Sequence, residues 1–484
     1  MTHSNSQSRS HPRARFLPVL LMLGCALSAC MVGPNYQRPS APVTPAYKEA
    51  EGWTPANPSD AADRRDWWTV FNDPVLNDLE QRVEVSNQNL KAAEAAYRQA
   101  EGLVSQQRAA LFPTISLNGS ASKSGGGGAS IGSGNSAGRS GNSFQLGAAG
   151  TWEPDLWGRI RRTIANAKDN AQASAADLAN ARLSAQTSLA LDYIQLRELD
   201  ELKRLLDATT TAYARSLTVT QNKYNAGVAA RSDVLSAQTQ LYNAQATNTD
   251  VIQQRAKLEH AIAILSGRAP AELTLASAPW TLKSPEIPAG VPSTLLQRRP
   301  DIAGAERRAA AANEQIGISI SAFFPSLTLT GQGGVASSQL GSLFSASSTT
   351  WAIGAQAAET IFDAGARSAV VRQSRAFYDQ EVALYRQTVL TGLGQVEDNL
   401  AAWRVLAVEQ TQRDAAMTAA VDDARILNNQ YRAGTVDYTA VVVAEASSLS
   451  AQESALQNQA NQLAAAVDLI SALGGGWTVE QGAK

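Results

Sequence analysis

Histidine and cysteine are nearly absent from this 484-residue chain, which has three of the first (His3, His11, His260) and two of the second (Cys25, Cys30). That scarcity removes most metal-ligand sets and most Cys/His nucleophile pairs before any spacing is considered. His260 reads as a polar helix residue, so no metal site is expected. An excess of charge is missing too, with 41 Lys plus Arg against 43 Asp plus Glu. No phosphate-neutralising basic face is on offer, and nucleic acid is not an expected partner. With no acid/base cluster and no nucleophile context, the chain is not expected to be an enzyme or to carry a cofactor.

What is present begins at the N-terminus. Arg9, Arg13 and Arg15 precede the apolar run FLPVLLMLGCALSA at 16–29, which is too short to span a bilayer as a helix and has the length of a signal-peptide core. It ends in LSAC at 27–30, which resembles a bacterial lipobox: Ser28 and Ala29 seat the peptidase, and Cys30 supplies the thiol for lipid attachment. The other reading is ordinary cleavage near Ala29, with Cys30 merely following. If Cys30 is lipidated, the mature chain begins there, and the covalent lipid is its one added group. The lone remaining cysteine then has no intrachain disulfide partner. Three acyl chains on one cysteine anchor a protein stably. Met31 after the cysteine carries no inner-membrane retention signal, so the outer membrane is the default destination, with its lipid as a partner.

The rest is one unit used twice. YNAG at 224–227 returns as YRAG at 431–434, with 431 − 224 = 207. LFPTISLNG at 111–119 matches FFPSLTLTG at 323–331, and DLWGR at 155–159 matches FDAGAR at 362–367. Each half reads as helix, strand, Gly/Ser-rich loop, strand, long helix, turn, long helix. The expected divisions are a signal peptide at 1–29, an anchored segment at 30–75, a first repeat at 76–267, a connection at 268–296, a second repeat at 297–475 and a tail at 476–484. From Arg159 to Asn222 there is neither proline nor glycine, which predicts a rod of about 95 Å at 1.5 Å per residue. A second rod is expected over 366–430, with Gly392 and Gly394 as its weak points. Leu199, Leu202, Leu206, Thr209, Tyr213, Leu217, Thr220 and Tyr224 step by three or four, and Leu449, Leu456, Leu463 and Ile470 by seven. Such narrow stripes suit rods packed side by side.

Strands are expected at about 113–122, 143–153, 325–332 and 350–360, where apolar residues alternate with small polar ones. Strands of about nine to eleven residues with aromatics at their ends fit a transmembrane β-barrel. A soluble hairpin with one wet face has the same local pattern; the export signal favours the barrel. Trp152, Trp157 and Trp351 are placed at the membrane interface, with core packing as the alternative. The glycine runs between strands lack the Lys-Ser/Thr of a phosphate cradle and read as external loops. Four strands cannot close a barrel, and an open sheet in lipid leaves its edges unsatisfied. Three copies give twelve strands above twelve long helices. The expected fold class is thus an α+β membrane protein: a homotrimeric 12-stranded β-barrel, four strands per chain, continuous with an α-helical barrel.

LLQRRPDIAGAERRAAAANEQIGISISAFFPSLTLTG at 295–331 resembles the hallmark segment of the outer membrane factor family, the TolC/OprM-like ducts. CMVGPNYQRP (30–39), DWWTVFNDPVLNDL (66–79) and WEPDLWGRIRR (152–162) are similar to its NodT-type lipoprotein branch. The resemblance implies a homotrimer that meets a periplasmic adaptor and an inner-membrane pump of RND type, and passes drugs, toxic compounds or metals outward. It also implies an equatorial belt made from 31–75, 268–296 and the tail. At the Tyr-x-Ala-Gly turns, Gly227 and Gly434 are expected in the left-handed conformation after a helix end. In the family these tips close the periplasmic mouth through tyrosine, aspartate and arginine contacts. Carried over, that points to Tyr224, Arg231 and Asp233 in the first hairpin and to Tyr431 and Arg432 in the second. Relatives carry aspartate nine or twelve positions after the second tyrosine; here those are Ala440 and Val443, so Asp437, Glu445 or an apolar ring of Val443 takes that place. Competing readings are a type I protein secretion duct and a lipid-anchored coiled-coil scaffold or adhesin. Arg298, Arg299 and Asp301 read as charges that start the helix at Pro300.

Overall fold

The computed structural model describes residues 31–42, 44–49, 66–125, 141–285 and 299–475. The signal segment, Cys30, Arg298, most of the first glycine-rich loop, part of the 268–296 connection and the tail lie outside the described residues. The chain divides into two units: one takes the residues up to Pro39 with 99–171 and 307–383, the other 40–98, 172–306 and 384 onward.

Among the described residues, six of seven α-helices and all four strands fall into two repeats. The first repeat runs α2 (Gln88–Ala109), β1 (Thr114–Ser124), β2 (Gly141–Trp152), α3 (Arg159–Asn225) and α4 (Arg231–Leu265); α1 (Pro74–Ser86) precedes it. The second runs α5 (Pro300–Ser321), β3 (Ser326–Ser337), β4 (Thr349–Ala358), α6 (Ala366–Ala433) and α7 (Tyr438–Ala472). Lengths repeat as well: α2 and α5 each have 22 residues, α3 and α6 have 67 and 68, and α4 and α7 have 35 each. None of the helices in the described residues is apolar enough over its length to cross a membrane.

In the first unit the strands form one antiparallel sheet in the order β1-β2-β3-β4. Its register separates two faces. Ile115 pairs with Gly150, Gly150 with Gly331 and Gly331 with Ile353; two residues along, Leu117, Ala148, Gly333 and Trp351 line up in the same way. Leu146, Val335, Trp152, Leu329 and Ala355 continue that apolar face. Because side chains alternate, the opposite face receives Thr114, Ser116, Asn118, Thr151, Thr328, Thr330, Gln332 and Gln356. The apolar face is bare in the single chain: Ile115, Leu117, Trp351 and Ile353 are 75–83% exposed. The outer strands β1 and β4 each pair on one side only.

β3 is longer than its sequence pattern predicts, reaching Ser337 instead of 332. In sequence, the Gly333-Gly334 pair is a usual loop signal. In the sheet, Gly334 faces Gly147 so closely that a Cβ on it would lie 2.5 Å from the Leu146 carbonyl oxygen. Glycine here permits a tight ladder.

Under the sheet, the residues that follow Cys30 are held as a strap. The Val32 N–H donates to the Trp157 carbonyl at 3.1 Å. The Arg162 guanidinium donates to the carbonyls of Val32 and Gly33, each at 3.1 Å, and to Asn35 Oδ1 at 3.3 Å. Its remaining nitrogen meets Glu314 of α5 at 2.9 Å. Gly33, Gly158 and Gly317 make room: a Cβ on Gly33 would sit 2.6 Å from Gly317 Cα, and one on Gly158 2.6 Å from Met31 Cγ.

The second unit packs helices around two larger apolar cores. Trp67, Trp68, Phe71, Leu76, Leu79 and Val83 meet Leu189, Tyr193, Ile194, Ile262, Leu463 and Val467 in the first. Tyr47, Ile302, Tyr385, Val389, Leu400, Ala466 and Leu469 form the second. Asp73 caps α1 by accepting from the N–H groups of Val75 and Leu76, and its other oxygen takes the Tyr193 hydroxyl at 2.8 Å. Arg299 does more than charge the start of α5. It forks onto Asp301 at 2.7 Å and donates to the Ala472 carbonyl at 3.1 Å, so it also satisfies the C-terminal end of α7.

Candidate functional site

The two Tyr-x-Ala-Gly turns are built alike. After α3, the Gly227 N–H returns to the Tyr224 carbonyl at 2.9 Å and the Val228 N–H to the Lys223 carbonyl at 2.9 Å. After α6, Gly434 returns to Tyr431 and Thr435 to Gln430, both at 3.0 Å. This pair of bonds is the Schellman closure, and it requires a left-handed residue. Gly227 and Gly434 supply it with φ of +77° and +78°. A Cβ on either would meet nothing within 4 Å, so Gly227→Ala carries a conformational cost alone. The expected loss is about 1 kcal/mol, read as a lowered thermal midpoint with an unchanged helical circular-dichroism spectrum.

Past the turns the twins diverge. Asp233 stands at the third position of α4 and accepts from the Ala230 N–H at 3.2 Å, half of a capping box, since Ala230 has no side-chain acceptor of its own. In the second hairpin Asp437 stands at the N-cap position of α7 without a side-chain hydrogen bond to the helix start, and Ala440 occupies the place of Asp233. Each helix start keeps one carboxylate near its N–H groups, where the helix dipole favours it. The second helix start thus lacks the side-chain bond that Asp233 makes at the first.

Tyr224 is 40% exposed and its twin Tyr431 only 5%. Tyr431 packs on Tyr438 at a ring-centroid distance of 5.2 Å and, with Ala237 and Val441, forms a small core between the hairpins. Its hydroxyl donates to Thr220 Oγ1 at 3.3 Å. Lys223 Nζ sits 3.7 Å above the Tyr431 ring and donates to the Tyr431 carbonyl. Two residues of α3 thus grip the end of α6. Lys223, one residue before Tyr224, carries no signal of this role in sequence, because a lysine in a helix's last turn looks like an ordinary answer to the helix dipole.

Beside that core, Ser216 Oγ donates to the Tyr438 hydroxyl at 3.3 Å. Glu445 is 8% exposed and accepts from Asn428 Nδ2 at 2.9 Å with one oxygen. The other oxygen has no hydrogen-bond partner. Burial pushes the Glu445 carboxyl up to about 7 and the Tyr438 hydroxyl up to about 12. Arg231, Arg432 and Asp437 are exposed, and Val443 is 60% exposed. Of the sequence candidates, then, Tyr431 is brought into a contact between hairpins, Asp233 is used locally, and Tyr224, Arg231, Arg432, Asp437 and Val443 lie at the surface of the chain.

The three tryptophans placed at the membrane interface occupy different settings in the first unit. Trp152 ends β2 and donates through Nε1 to the Leu111 carbonyl at 3.0 Å. Trp351 lies near the opposite, loop-side end of the sheet, across from Gly333. Trp157 is on no strand: it stacks on Phe324 at 4.8 Å and donates to the Pro325 carbonyl at 2.8 Å, which joins the β2–α3 turn to the start of β3. Among the described residues no group of three or more His, Cys, Asp or Glu is placed to hold a metal ion.

Comparison with known proteins covers this geometry over most of the chain. The family described as Outer membrane efflux protein matches residues 79–268 and 291–475, one span for each structural repeat. The toluene efflux pump outer membrane protein TtgC of Pseudomonas putida is 33% identical over 462 residues, covering 94% of each chain. The pyoverdine export outer membrane protein OpmQ of Pseudomonas aeruginosa is 30% identical over 470 residues, covering 93% of this chain and 96% of its own. Among solved structures, the outer-membrane channel OprN superposes with a TM-score of 0.85 at 29% identity, covering 93% of this chain and all of that one. Two matched repeats, a shared four-stranded sheet with paired helical hairpins, and relatives aligned over nearly their whole length place this chain in the outer membrane efflux protein family.

Proposed function

We propose that three copies of this chain close into a twelve-stranded barrel and serve as the passive outer-membrane duct of a tripartite efflux system. A periplasmic adaptor and an inner-membrane pump of RND type would deliver drugs, toxic organic compounds or metal ions to it. Named relatives exporting toluene and pyoverdine support small organic cargo. The observation that carries the reading is the sheet: a continuous apolar face, a face of small polar residues, and two outer strands with one partner each. In lipid, such a sheet is satisfied only by closure with further copies, the apolar face outward and the polar face lining water. Strands of 10–12 residues suffice to cross the hydrocarbon layer.

The pump supplies the energy, and no residue of the duct acts as a catalyst or holds a cofactor. Lipid on Cys30 anchors the chain, and the strap from Met31 onward is tied to the Trp157–Arg162 turn. The hairpin turns form the periplasmic aperture, closed by the Lys223–Tyr431 grip with Val443 as its apolar lining. Detergent-extracted protein is expected to run as a heat-resistant trimer on gels and to form discrete pores in planar bilayers. A monomer without conductance would refute the duct and revive the scaffold.

A further inference from the structure

The hairpin core contains one carboxyl group that neither the closure of the turns nor the helix starts require. Glu445 lies on α7 with a single hydrogen bond, from Asn428 on α6, and an unpartnered second oxygen. The titratable groups that face it are Tyr213 on α3 and Tyr438 on its own helix; burial first, and then the charge of Glu445, raises both hydroxyls, and Glu453 further along α7 adds to the effect on Tyr213. α4 contributes the neutral Gln240 beside Tyr213. No Lys or Arg among the described residues pairs with it, and burial alone drives its shift upward. The first hairpin shows what the position needs for packing. With the offset of 207, Glu445 corresponds to Gln238 and Asn428 to Gln221. There Gln238 is half-buried and Gln221 donates to Asn225, so a neutral amide fills the place without the bond that Asn428 makes to Glu445.

We propose that Glu445 makes the second hairpin proton-sensitive, packed and closed while its carboxyl is neutral and loosened toward the open aperture when it ionises. This inference rests on the duct reading. The direction follows from linkage. A solvent-exposed glutamate titrates near ~4.3, and the packed one at about 7. Below the lower value both forms are protonated and the closed form keeps its full advantage. Between the two values that advantage is lost, by up to about tenfold in the open-to-closed ratio per pH unit. Above the higher value nothing further changes.

The test is single-channel recording of the reconstituted full-length protein from pH 4.5 to 7.5, for wild type, Glu445→Gln and Lys223→Ala. Wild-type open probability is expected to rise at least fivefold across that range. Glu445→Gln is expected to stay flat at the wild-type low-pH level, while running as the same heat-resistant oligomer. A flat wild-type response, or an unchanged pH response in Glu445→Gln, overturns the inference while pores in Lys223→Ala leave the duct standing. No pore in any of the three overturns both.

Discussion

Replacing Arg162 with methionine is expected to remove about 3 to 5 kcal/mol of stability and to release the strap that follows Cys30. The guanidinium is 1% exposed and its partner Glu314 9%. Truncating the cation leaves a buried carboxylate without a counter-charge, which costs more than the pair contributes. Three strap acceptors, the carbonyls of Val32 and Gly33 and Asn35 Oδ1, lose their donor at the same time. Two readings separate these effects. The dissociation temperature of the detergent-solubilised oligomer reports the buried charge, and protease cleavage within 31–39 reports the strap. Arg162→Met combined with Glu314→Leu should recover most of the thermal loss, since an apolar pair replaces the ions, yet stay cleavable. If Arg162→Met leaves both the temperature and the cleavage pattern at wild-type levels, the clasp is not what seats the strap.

Arg162 also shows where the sequence was silent. Arg159, Arg161 and Arg162 stand within four residues and look interchangeable, but their side chains are 46%, 30% and 1% exposed. The first two pair with Glu153 and Asp155 next to them in sequence; the third reaches across to a strap more than 120 residues earlier. Local pattern cannot tell them apart, because the distinction is made by chain that packs only in the fold. The repeat, by contrast, was readable because helix punctuation is local: a left-handed glycine after a proline-free run fixes a helix end from its own neighbours. Strand faces were readable for the same reason, as the period of two survives any register that keeps alternation. The extent of β3 was not, since Gly333 and Gly334 mean a loop in isolation and a close ladder opposite Gly147. At the tips the tyrosines were found from their repeat and the division of labour between them was not: Tyr224 and Tyr431 share a motif, and only the packing of α7 against α3 buries the second.

Lys223→Ala is the substitution expected to change conduction most. Lys223 holds Tyr431 twice, by a bond to its carbonyl and by its position 3.7 Å above the ring. A charged hydrogen bond contributes about 1.5 to 3 kcal/mol, and a partly desolvated cation over an aromatic face about 1. Lys223 is half-buried, so solvent screens part of this, and a net loss of about 2 kcal/mol is the reasonable expectation. That corresponds to roughly a thirtyfold shift from closed to open, seen as a higher open probability in bilayers at neutral pH. Tyr431→Phe keeps the ring and the carbonyl and removes only the 3.3 Å bond to Thr220, so it should move the equilibrium by less than tenfold. Asp233→Ala loses a carboxylate that serves the Ala230 N–H at the start of α4; it should lower helix stability by about 1 kcal/mol with a smaller gain in conduction than Lys223→Ala. The reverse order, with Asp233→Ala opening the pore and Lys223→Ala leaving it shut, would mean that the aperture is closed by acidic contacts between copies and not by the grip of α3 on Tyr431.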